Sequence, residues 1–230
     1  MTRYPNRVRG HWLLLGTTQS GKTTWLVYHV LPEVRNFVII DPEAHYTSLE
    51  GAQLAMGVRE LIQLLRTRLE QPNRRRYRIV LLEESPSEQL KAVEAVWSFH
   101  EHMHTKVGKT LLVHDEAGDM FAFLGGGSSL PATYGRVFRK GAKRGLMSLL
   151  VGQNPQQIPS KARHLSGHHV IFRLTGRLPQ RMDRNLGDEA DQVTELEDLT
   201  PGSRPERGRH YLTWPRRIED PAAEVIGQLD

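Results

Sequence analysis

Short apolar runs recur along the chain and alternate with longer segments in which apolar residues are three or four positions apart. The runs that predict buried strands are Trp12–Leu15, Phe37–Ile40, 77–82, Thr110–His114, 147–151 and 169–174. Continuous apolar runs of this length are typical of strands in a parallel sheet that is covered on both faces. The alternation therefore predicts an α/β fold, with a mostly parallel central sheet flanked by helices.

The segments between the strands have helical periodicity. The predicted helices are Val58–Glu70, a long amphipathic segment at 87–104 and a basic segment at 134–143. In the first of these, Leu61, Leu64 and Leu65 recur at the spacing that places side chains on one helix face.

The C-terminal part of the chain has a different character. Residues 175–209 are polar and interrupted by Pro and Gly, with a short helix predicted over 189–199, and residues 210–214 predict an edge strand. No linker divides the sequence. We therefore expect a single domain over residues 1–230, with a core of residues 11–175 and an extension, 176–230, packed on it.

The segment after the first strand matches the phosphate-binding loop pattern G-x-x-x-x-G-K-[ST]. The loop and the next threonine comprise Gly16, Thr17, Thr18, Gln19, Ser20, Gly21, Lys22, Thr23 and Thr24. Its glycines allow a tight turn whose N–H groups point at phosphate oxygens. Lys22 can reach the β- and γ-phosphates, and the Thr23 hydroxyl can ligate Mg²⁺. The motif predicts that the chain binds ATP with Mg²⁺.

An acidic pair follows the apolar run Thr110–His114. Asp115 at the strand tip can hold the Mg²⁺ shell, directly or through water. The adjacent Glu116 can orient and activate an attacking water. A kinase for a small molecule needs no such carboxylate, so the pair favours an ATPase.

A third strand ends in a polar amide. Gln153 follows the apolar run 147–151 and can hydrogen-bond the γ-phosphate or the lytic water. Because the chain order is phosphate loop, acidic strand and then Gln-ending strand, we interpret Gln153 as a sensor of the nucleotide state.

Composition narrows the classes of function. The chain contains no Cys, which excludes disulfides, thiolate metal sites and Cys nucleophiles. Its formal charge is +5, and only seven of its 31 basic residues are Lys. An excess of Arg suits phosphate contacts and fits a nucleic-acid partner, and it fits equally well an Arg-rich codon bias with a solvated basic surface. No apolar run approaches the length of a membrane span, so we expect a cytoplasmic protein.

The segment 143–159, KRGLMSLLVGQNPQQIP, resembles that of the FtsK/HerA-type ATPases, in which a basic residue and Gly precede a strand ending in Gln, followed by Ile-Pro. Residues 161–163, 168–174 and 38–42 continue the likeness, which spans about residues 12–174. Within that superfamily the compact chain resembles the genome-packaging ATPases of tailless, membrane-containing DNA viruses.

The resemblance implies a RecA-like core with an additional strand between the phosphate-loop strand and the acidic strand. It also implies a ring, expected to be a hexamer, that moves double-stranded DNA through its pore and meets a capsid or membrane vertex protein. The protein would then lie in the host cytoplasm and on the virion. By position, Lys22 and Thr23 bind phosphate and Mg²⁺, Asp115 orders Mg²⁺, Glu116 activates water and Gln153 senses the γ-phosphate.

The resemblance further implies an arginine that reaches the nucleotide of the neighbouring subunit. Arg144 is the first candidate because it lies in the basic connection before the Gln-ending strand, and Arg139 and Arg136 are alternatives. Such an arginine offsets the charge of the transition state.

Two features depart from the family pattern. His114 stands where an apolar residue is usual, and it is either a core histidine or a group that tunes Asp115. The Gly-rich loop 125–129 is either an exposed loop or a pore loop that follows a phosphate backbone. The histidines at 100, 102 and 104 predict no further metal site, because residues two apart on a helix do not share a face.

Two alternatives to a packaging motor stay open at this stage. One is a plasmid or cellular DNA pump of the same superfamily, and the other is a nucleotide or small-molecule kinase. A kinase would need an acceptor pocket instead of Glu116, Gln153 and an arginine supplied in trans.

Overall fold

The structure is a computed structural model of the chain, and it describes residues 10–70, 76–125, 129–175, 178, 191–197, 203, 206, 210–214 and 224. The strands are β1 Trp12–Leu15, β2 Phe37–Ile40, β3 Gln53–Ala55, β4 Arg78–Leu81, β5 Thr110–His114, β6 Leu146–Gly152, β7 His168–Phe172 and β8 Tyr211–Trp214. The α-helices are α1 Lys22–Trp25, α2 Val58–Glu70, α3 Pro86–Val107, α4 Ala117–Phe123, α5 Ala132–Lys140 and α6 Ser160–Leu165. Helix α1 continues as a π-helical segment over Leu26–Val30, and short 3₁₀ turns occupy Ala142–Arg144 and Asp191–Thr194.

The strands form one sheet in the order β3-β4-β2-β5-β6-β1-β7-β8. Neighbouring strands are parallel except at one edge, where β8 runs antiparallel to β7. Strand β6 lies between β1 and β5, as the expected RecA-like fold with an additional strand requires. Because the strands are parallel, the loops that leave β1, β2, β5 and β6 meet at one edge of the sheet, where ligand sites of such folds lie.

Two apolar layers cover the sheet. Leu13 and Leu15 point to one face, where they pack in a core with side chains of α2, α3, α4 and α5. Trp12 and Leu14 point to the opposite face, where α1 and its π-helical extension pack. This alternation is the two-residue period of a strand that is buried on both sides. Within the described ranges no helix is both long enough and apolar enough to span a bilayer.

Several elements differ from the sequence-based prediction. Strand β3 and helices α4 and α6 were not predicted, and the predicted helix 134–143 is instead α5, which starts at Ala132 and ends at Lys140. Gly141, which follows α5, is closely packed against backbone: a Cβ there would lie 2.4 Å from the Val137 carbonyl oxygen and 2.6 Å from that of Leu146. The predicted helix 189–199 is a 3₁₀ turn at Asp191–Thr194, and its two ends lie outside the described residues.

Candidate functional site

The phosphate-loop motif follows β1, and its backbone is held by both neighbouring strands. The Gly16 N–H donates to the Gly152 carbonyl at 3.1 Å, and the Thr17 N–H donates to the Arg173 carbonyl at 2.8 Å. The first turn of the loop is therefore fixed to the carboxyl ends of β6 and β7.

The loop depends on backbone conformations and spacing that favour glycine. A Cβ on Gly16 would lie 2.5 Å from Ser20 Oγ and 2.6 Å from Phe172 Cβ, closer than real Cβ contacts. Gly21 has φ 108° and Gln19 has φ 64°, both in the left-handed region that L side chains rarely adopt. Such conformations cluster where a backbone is arranged to hold a ligand.

The Lys22 side chain folds back into the loop. Its Nζ donates to the carbonyl oxygens of Gly16 at 2.8 Å and Thr17 at 2.9 Å. Burial lowers the pKa of Lys22, and the nearby carboxylates of Glu116 and Asp115 act in the opposite direction. An ammonium group held between two neutral carbonyl groups can exchange these contacts for phosphate oxygens.

The acidic pair lies at the end of β5. The Asp115 N–H donates to the Ile40 carbonyl at 3.0 Å, which brings the tips of β2 and β5 together. Burial raises the pKa of Asp115 to about 6, and the charge of Glu116 acts in the same direction. Glu116 has φ 46° and ψ 37° and precedes α4, so its side chain is aimed by a backbone conformation that is strained for a non-glycine residue.

A hydrogen-bond relay joins the phosphate loop to Glu116. The Thr18 hydroxyl donates to Gln153 Oε1 at 3.0 Å, and Gln153 Nε2 donates to Glu116 Oε1 at 3.0 Å. The amide of Gln153 thus lies between the loop and the acidic pair, which is the position from which a side chain can respond to a γ-phosphate. The structure brings together Lys22, Asp115, Glu116 and Gln153 at one edge of the sheet, where the sequence predicted them.

Three further residues of the site did not emerge as site residues from the sequence. Asp41 follows β2, and its carboxylate lies next to Asp115 in a group with His45. Tyr46 is buried beside them, and burial, then the Asp115 charge, raise its pKa well above the usual value. Asp41 could have been recognised from the sequence, because it follows an apolar strand as Asp115 does. His45 lies in a loop after Ala44, which has φ 59°.

The residues present fit Mg²⁺. Asp115 and Asp41 are two buried carboxylates. Burial and the neighbouring Glu116 hold the Asp115 pKa above its usual range, because they disfavour its negative charge. A bound cation would stabilise that charge. Hard oxygen donors of this kind, with the Thr23 hydroxyl at the start of α1, are the ligands that Mg²⁺ prefers.

The first of the three candidate arginines, Arg144, lies away from this edge of the sheet. Arg144 precedes β6, whose opposite end leads to Gln153, so a strand length of roughly 20 Å separates it from the phosphate loop of its own chain. Its guanidinium pairs with Glu101 at 2.8 Å and lies 5.2 Å from the centre of the Trp97 ring. Arg136 pairs with Glu94, and Arg139 Nε donates to the Gly135 carbonyl at 2.8 Å. Contact with the nucleotide of the same chain is excluded for Arg144 in this arrangement.

His114 is a core histidine. It is fully buried, and burial lowers its pKa to about 3, so the ring is neutral. Its Nδ1 contacts the Tyr134 hydroxyl, and its Nε2 lies 3.0 Å from Gln89 Oε1. Since the Gln89 amide nitrogen already donates to Glu83, Oε1 is the acceptor and His114 carries its proton on Nε2. Of the predicted loop 125–129, residues 126–128 lie outside the described part of the chain.

Comparisons with known proteins identify relatives by fold alone. No protein-family model matches the chain, and no curated protein matches it. Among solved structures, the chain is similar to the genome packaging NTPase B204 from Sulfolobus turreted icosahedral virus 2 in complex with AMP. The TM-score is 0.61 at 16% identity, and the match covers 90% of this chain and 92% of that one. The same NTPase has also been solved with AMPPCP and with ATP-gammaS.

Two cellular proteins have similar structures. EccC of Thermomonospora curvata, solved with a signal sequence peptide, matches with a TM-score of 0.55 at 15% identity over 96% of this chain and 42% of that one. VirB4 of Thermoanaerobacter pseudethanolicus matches with a TM-score of 0.53 at 12% identity, covering 86% and 87% of the two chains. The chain therefore has the RecA-like P-loop NTPase fold, and its structural neighbours include a viral genome-packaging NTPase, the ATPase EccC and VirB4.

Proposed function

We propose that this chain is an ATP-hydrolysing DNA translocase that packages a double-stranded DNA genome into a viral capsid. The observation that carries the proposal is the relay from Thr18 through Gln153 to Glu116. It puts a carboxylate at the phosphate loop, where a water-activating group is needed and a kinase needs none. The similarity to a viral genome-packaging NTPase supports the same activity class.

The contacts of the nucleotide-free site indicate how it would bind and hydrolyse ATP. Lys22 exchanges its bonds to the Gly16 and Thr17 carbonyls for bonds to β- and γ-phosphate oxygens. Thr23 and Asp115 would hold Mg²⁺, which when bound neutralises developing phosphate charge. Glu116 accepts the proton of the attacking water, and its aim is set by the left-handed backbone at that residue.

Gln153 gives the site a way to report its nucleotide state. Its amide is bonded to both Thr18 and Glu116, so a γ-phosphate that takes over the amide releases Glu116 toward water. Loss of the γ-phosphate restores the relay. The carboxylate is then active only when the loop holds a triphosphate.

We place the active sites between the subunits of a ring, expected to be a hexamer, with Arg144 reaching the neighbouring nucleotide. Arg144 cannot reach the phosphates of its own chain, and about a quarter of its side chain is exposed, 28%. In one chain its charge is balanced by Glu101, so assembly must exchange this ion pair for phosphate. Partly exposed ion pairs of this type contribute about 1 kcal/mol or less, so contacts with phosphate can replace this pair.

The proposed partner is double-stranded DNA bound through its backbone. The +5 formal charge and the Arg excess support phosphate contacts without base reading. The ring would bind a capsid or membrane vertex protein. The protein would then occur in the host cytoplasm and on the virion. Detecting the chain in purified particles distinguishes packaging from the work of a plasmid or cellular DNA pump.

ATP hydrolysis by matched variants tests the proposed chemistry. Lys22→Ala should weaken nucleotide binding, because the phosphates lose their main cation. Glu116→Gln should retain binding and slow turnover by a factor of about 10² to 10⁴, the scale of a lost general base. Glu33→Gln, a substitution at an exposed site, is the control and should hydrolyse ATP as the wild type does. Full turnover by Glu116→Gln would remove Glu116 from the mechanism.

Mixing two inactive variants tests the arginine. Lys22→Ala and Arg144→Ala should each be nearly inactive, and a mixed ring should regain activity at interfaces that pair an intact phosphate loop with an intact Arg144. An arginine supplied in trans contributes about 10³ to 10⁵ in rate, so a few restored interfaces are measurable. If mixed oligomers form and stay inactive, Arg144 does not act in trans, and Arg139 and Arg136 are tested in the same way.

A further inference from the structure

Three potential metal ligands converge where β2 and β5 end. Asp41 follows β2, Asp115 follows β5, and His45 returns from the loop after β2. One ligand atom from each of the three lies within 4.8 Å of the others. The parallel pairing of β2 with β5 brings the two carboxylates side by side, since Ile40 and His114 are register partners.

The Asp41 carboxylate is oriented by backbone donors. It accepts the His45 N–H on Oδ1 at 3.0 Å and the Tyr46 N–H on Oδ2 at 2.8 Å, and the residue is fully buried. Each carboxylate oxygen keeps a second lone pair. Ligating carboxylates in metalloproteins are hydrogen-bonded in this way by groups behind them.

The two nitrogens of His45 face different carboxylates. Nδ1 lies 3.3 Å from Asp115 Oδ2, and Nε2 lies 3.2 Å from Glu43 Oε2. A histidine that binds a metal through one nitrogen almost always donates its other N–H to a carboxylate or carbonyl group, which orients the ring. Glu43 stands where that partner belongs, so the ring is arranged as a ligand as well as an ion-pair partner.

We propose that Asp41, His45 and Asp115 bind one divalent first-row transition-metal ion in the absence of nucleotide. Mg²⁺ prefers oxygen donors, whereas an imidazole nitrogen favours ions such as Mn²⁺, Co²⁺ and Zn²⁺. The side chain of His45 is 43% exposed, and the residue lines a cavity of about 580 Å³ beside the π-helical extension of α1, so this ligand is open to solvent.

The inference deepens the proposed function, because Asp115 belongs to both the metal site and the ATP site. Only the predicted effect on ATP hydrolysis rests on the proposed function. If the chain hydrolyses ATP, the ion bound by Asp41, His45 and Asp115 would also contact the phosphates. The metal preference of ATP hydrolysis would then shift from Mg²⁺ toward Mn²⁺. Binding of the ion itself is measured without nucleotide, so it stands or fails separately from ATP hydrolysis.

The test is Mn²⁺ binding to the nucleotide-free full chain, followed by electron paramagnetic resonance. We expect one bound Mn²⁺ per chain, an affinity at least about tenfold above that for Mg²⁺ in competition, and an electron spin-echo signal from a directly bound nitrogen. His45→Ala should abolish the nitrogen signal and weaken binding at least about tenfold, and Glu43→Gln should weaken it by about 10- to 100-fold. His102→Ala removes an exposed histidine on α3 and is the matched control.

Lys22→Ala separates the two proposals, because it removes the phosphate-binding cation but none of the three metal ligands. Mn²⁺ should still bind, and at least as tightly as it binds the wild type, because a positive charge near Asp115 is lost. The proposal is overturned if the nucleotide-free wild type binds no Mn²⁺ at millimolar concentration. It is equally overturned if His45→Ala binds Mn²⁺ with the wild-type affinity and nitrogen signal, since His45 would then be only an ion-pair partner of Asp115.

Discussion

Asp115→Asn should stabilise the metal-free protein at neutral pH while removing a ligand needed for activity. Burial and the charge of Glu116 raise the Asp115 pKa from 3.8 to about 6 in the folded chain. The folded state therefore binds this proton more tightly than the unfolded state does. Stability is lost as the pH rises from about 4 to about 6, and the loss stays constant above that range.

The size of the effect follows from the shift. Each pKa unit corresponds to about 1.4 kcal/mol, so the ionised Asp115 costs the fold up to about 3 kcal/mol above pH 7 and roughly half of that at pH 5. The contact with His45 lowers the pKa of Asp115, and the value of about 6 is the net result of burial, the Glu116 charge and this contact. Desolvation therefore dominates.

The assay is urea unfolding of the wild type and Asp115→Asn between pH 5 and pH 8, in chelator. The stability advantage of the variant should grow by roughly 1 to 2 kcal/mol over this range. Asp119→Asn, an exposed carboxylate in α4, is the control and should show no such growth. Addition of Mn²⁺ should stabilise the wild type and shrink the difference.

An advantage that does not depend on pH would refute this reasoning. Asp115 would then not be destabilised by burial, and the gain would have another cause. A less stable Asp115→Asn at pH 8 would show that the carboxylate already has a compensating partner in the metal-free protein.

Two predictions concern the scaffold of the site. Gly16→Ala should destabilise the fold by about 1–3 kcal/mol and weaken nucleotide binding, because the new Cβ meets strand β7; Gly57→Ala, whose Cβ has only one neighbour at 4.0 Å, should be nearly neutral in the same denaturation assay. Tyr134→Phe should cost about 1–3 kcal/mol because it leaves His114 Nδ1 buried without its partner, whereas Tyr28→Phe, at a site 72% exposed, should not change stability.

The central strands could be predicted because their burial leaves a plain signal. Strands β1, β2 and β5 are covered on both faces, so every position is apolar or buried and the run is uninterrupted. The phosphate loop was recognisable because its tight turn requires glycine and its phosphate contacts require a cation such as Lys22.

The elements that the sequence did not reveal are short and weakly patterned. Strand β3 has three residues, of which Gln53 and Leu54 are exposed, so it presents no apolar run. Helix α6 buries only Ala162, and helix α4 spans two turns. Such elements are stabilised by contacts with distant segments, and their residues carry little periodicity.

The order of motifs along the chain predicted Lys22, Asp115, Glu116 and Gln153 as site residues, whereas the order of strands in the sheet decides which other residues lie beside them. Asp41 and His45 meet Asp115 because β2 pairs with β5, a neighbour relation that no local pattern encodes. The same applies to Arg144, whose contacts with Glu101 and Trp97 on α3 depend on how that helix packs against the turn before β6.

The most direct test of the central claim is ATP hydrolysis with and without double-stranded DNA, with the oligomeric mass measured by light scattering in the same samples. We expect metal-dependent hydrolysis that DNA increases in a ring-sized oligomer, with a DNA affinity that falls steeply with salt, and loss of this activity in Glu116→Gln. A chain that stays monomeric with ATP and DNA, or that hydrolyses ATP at one rate whether or not DNA is present, would contradict a DNA translocase.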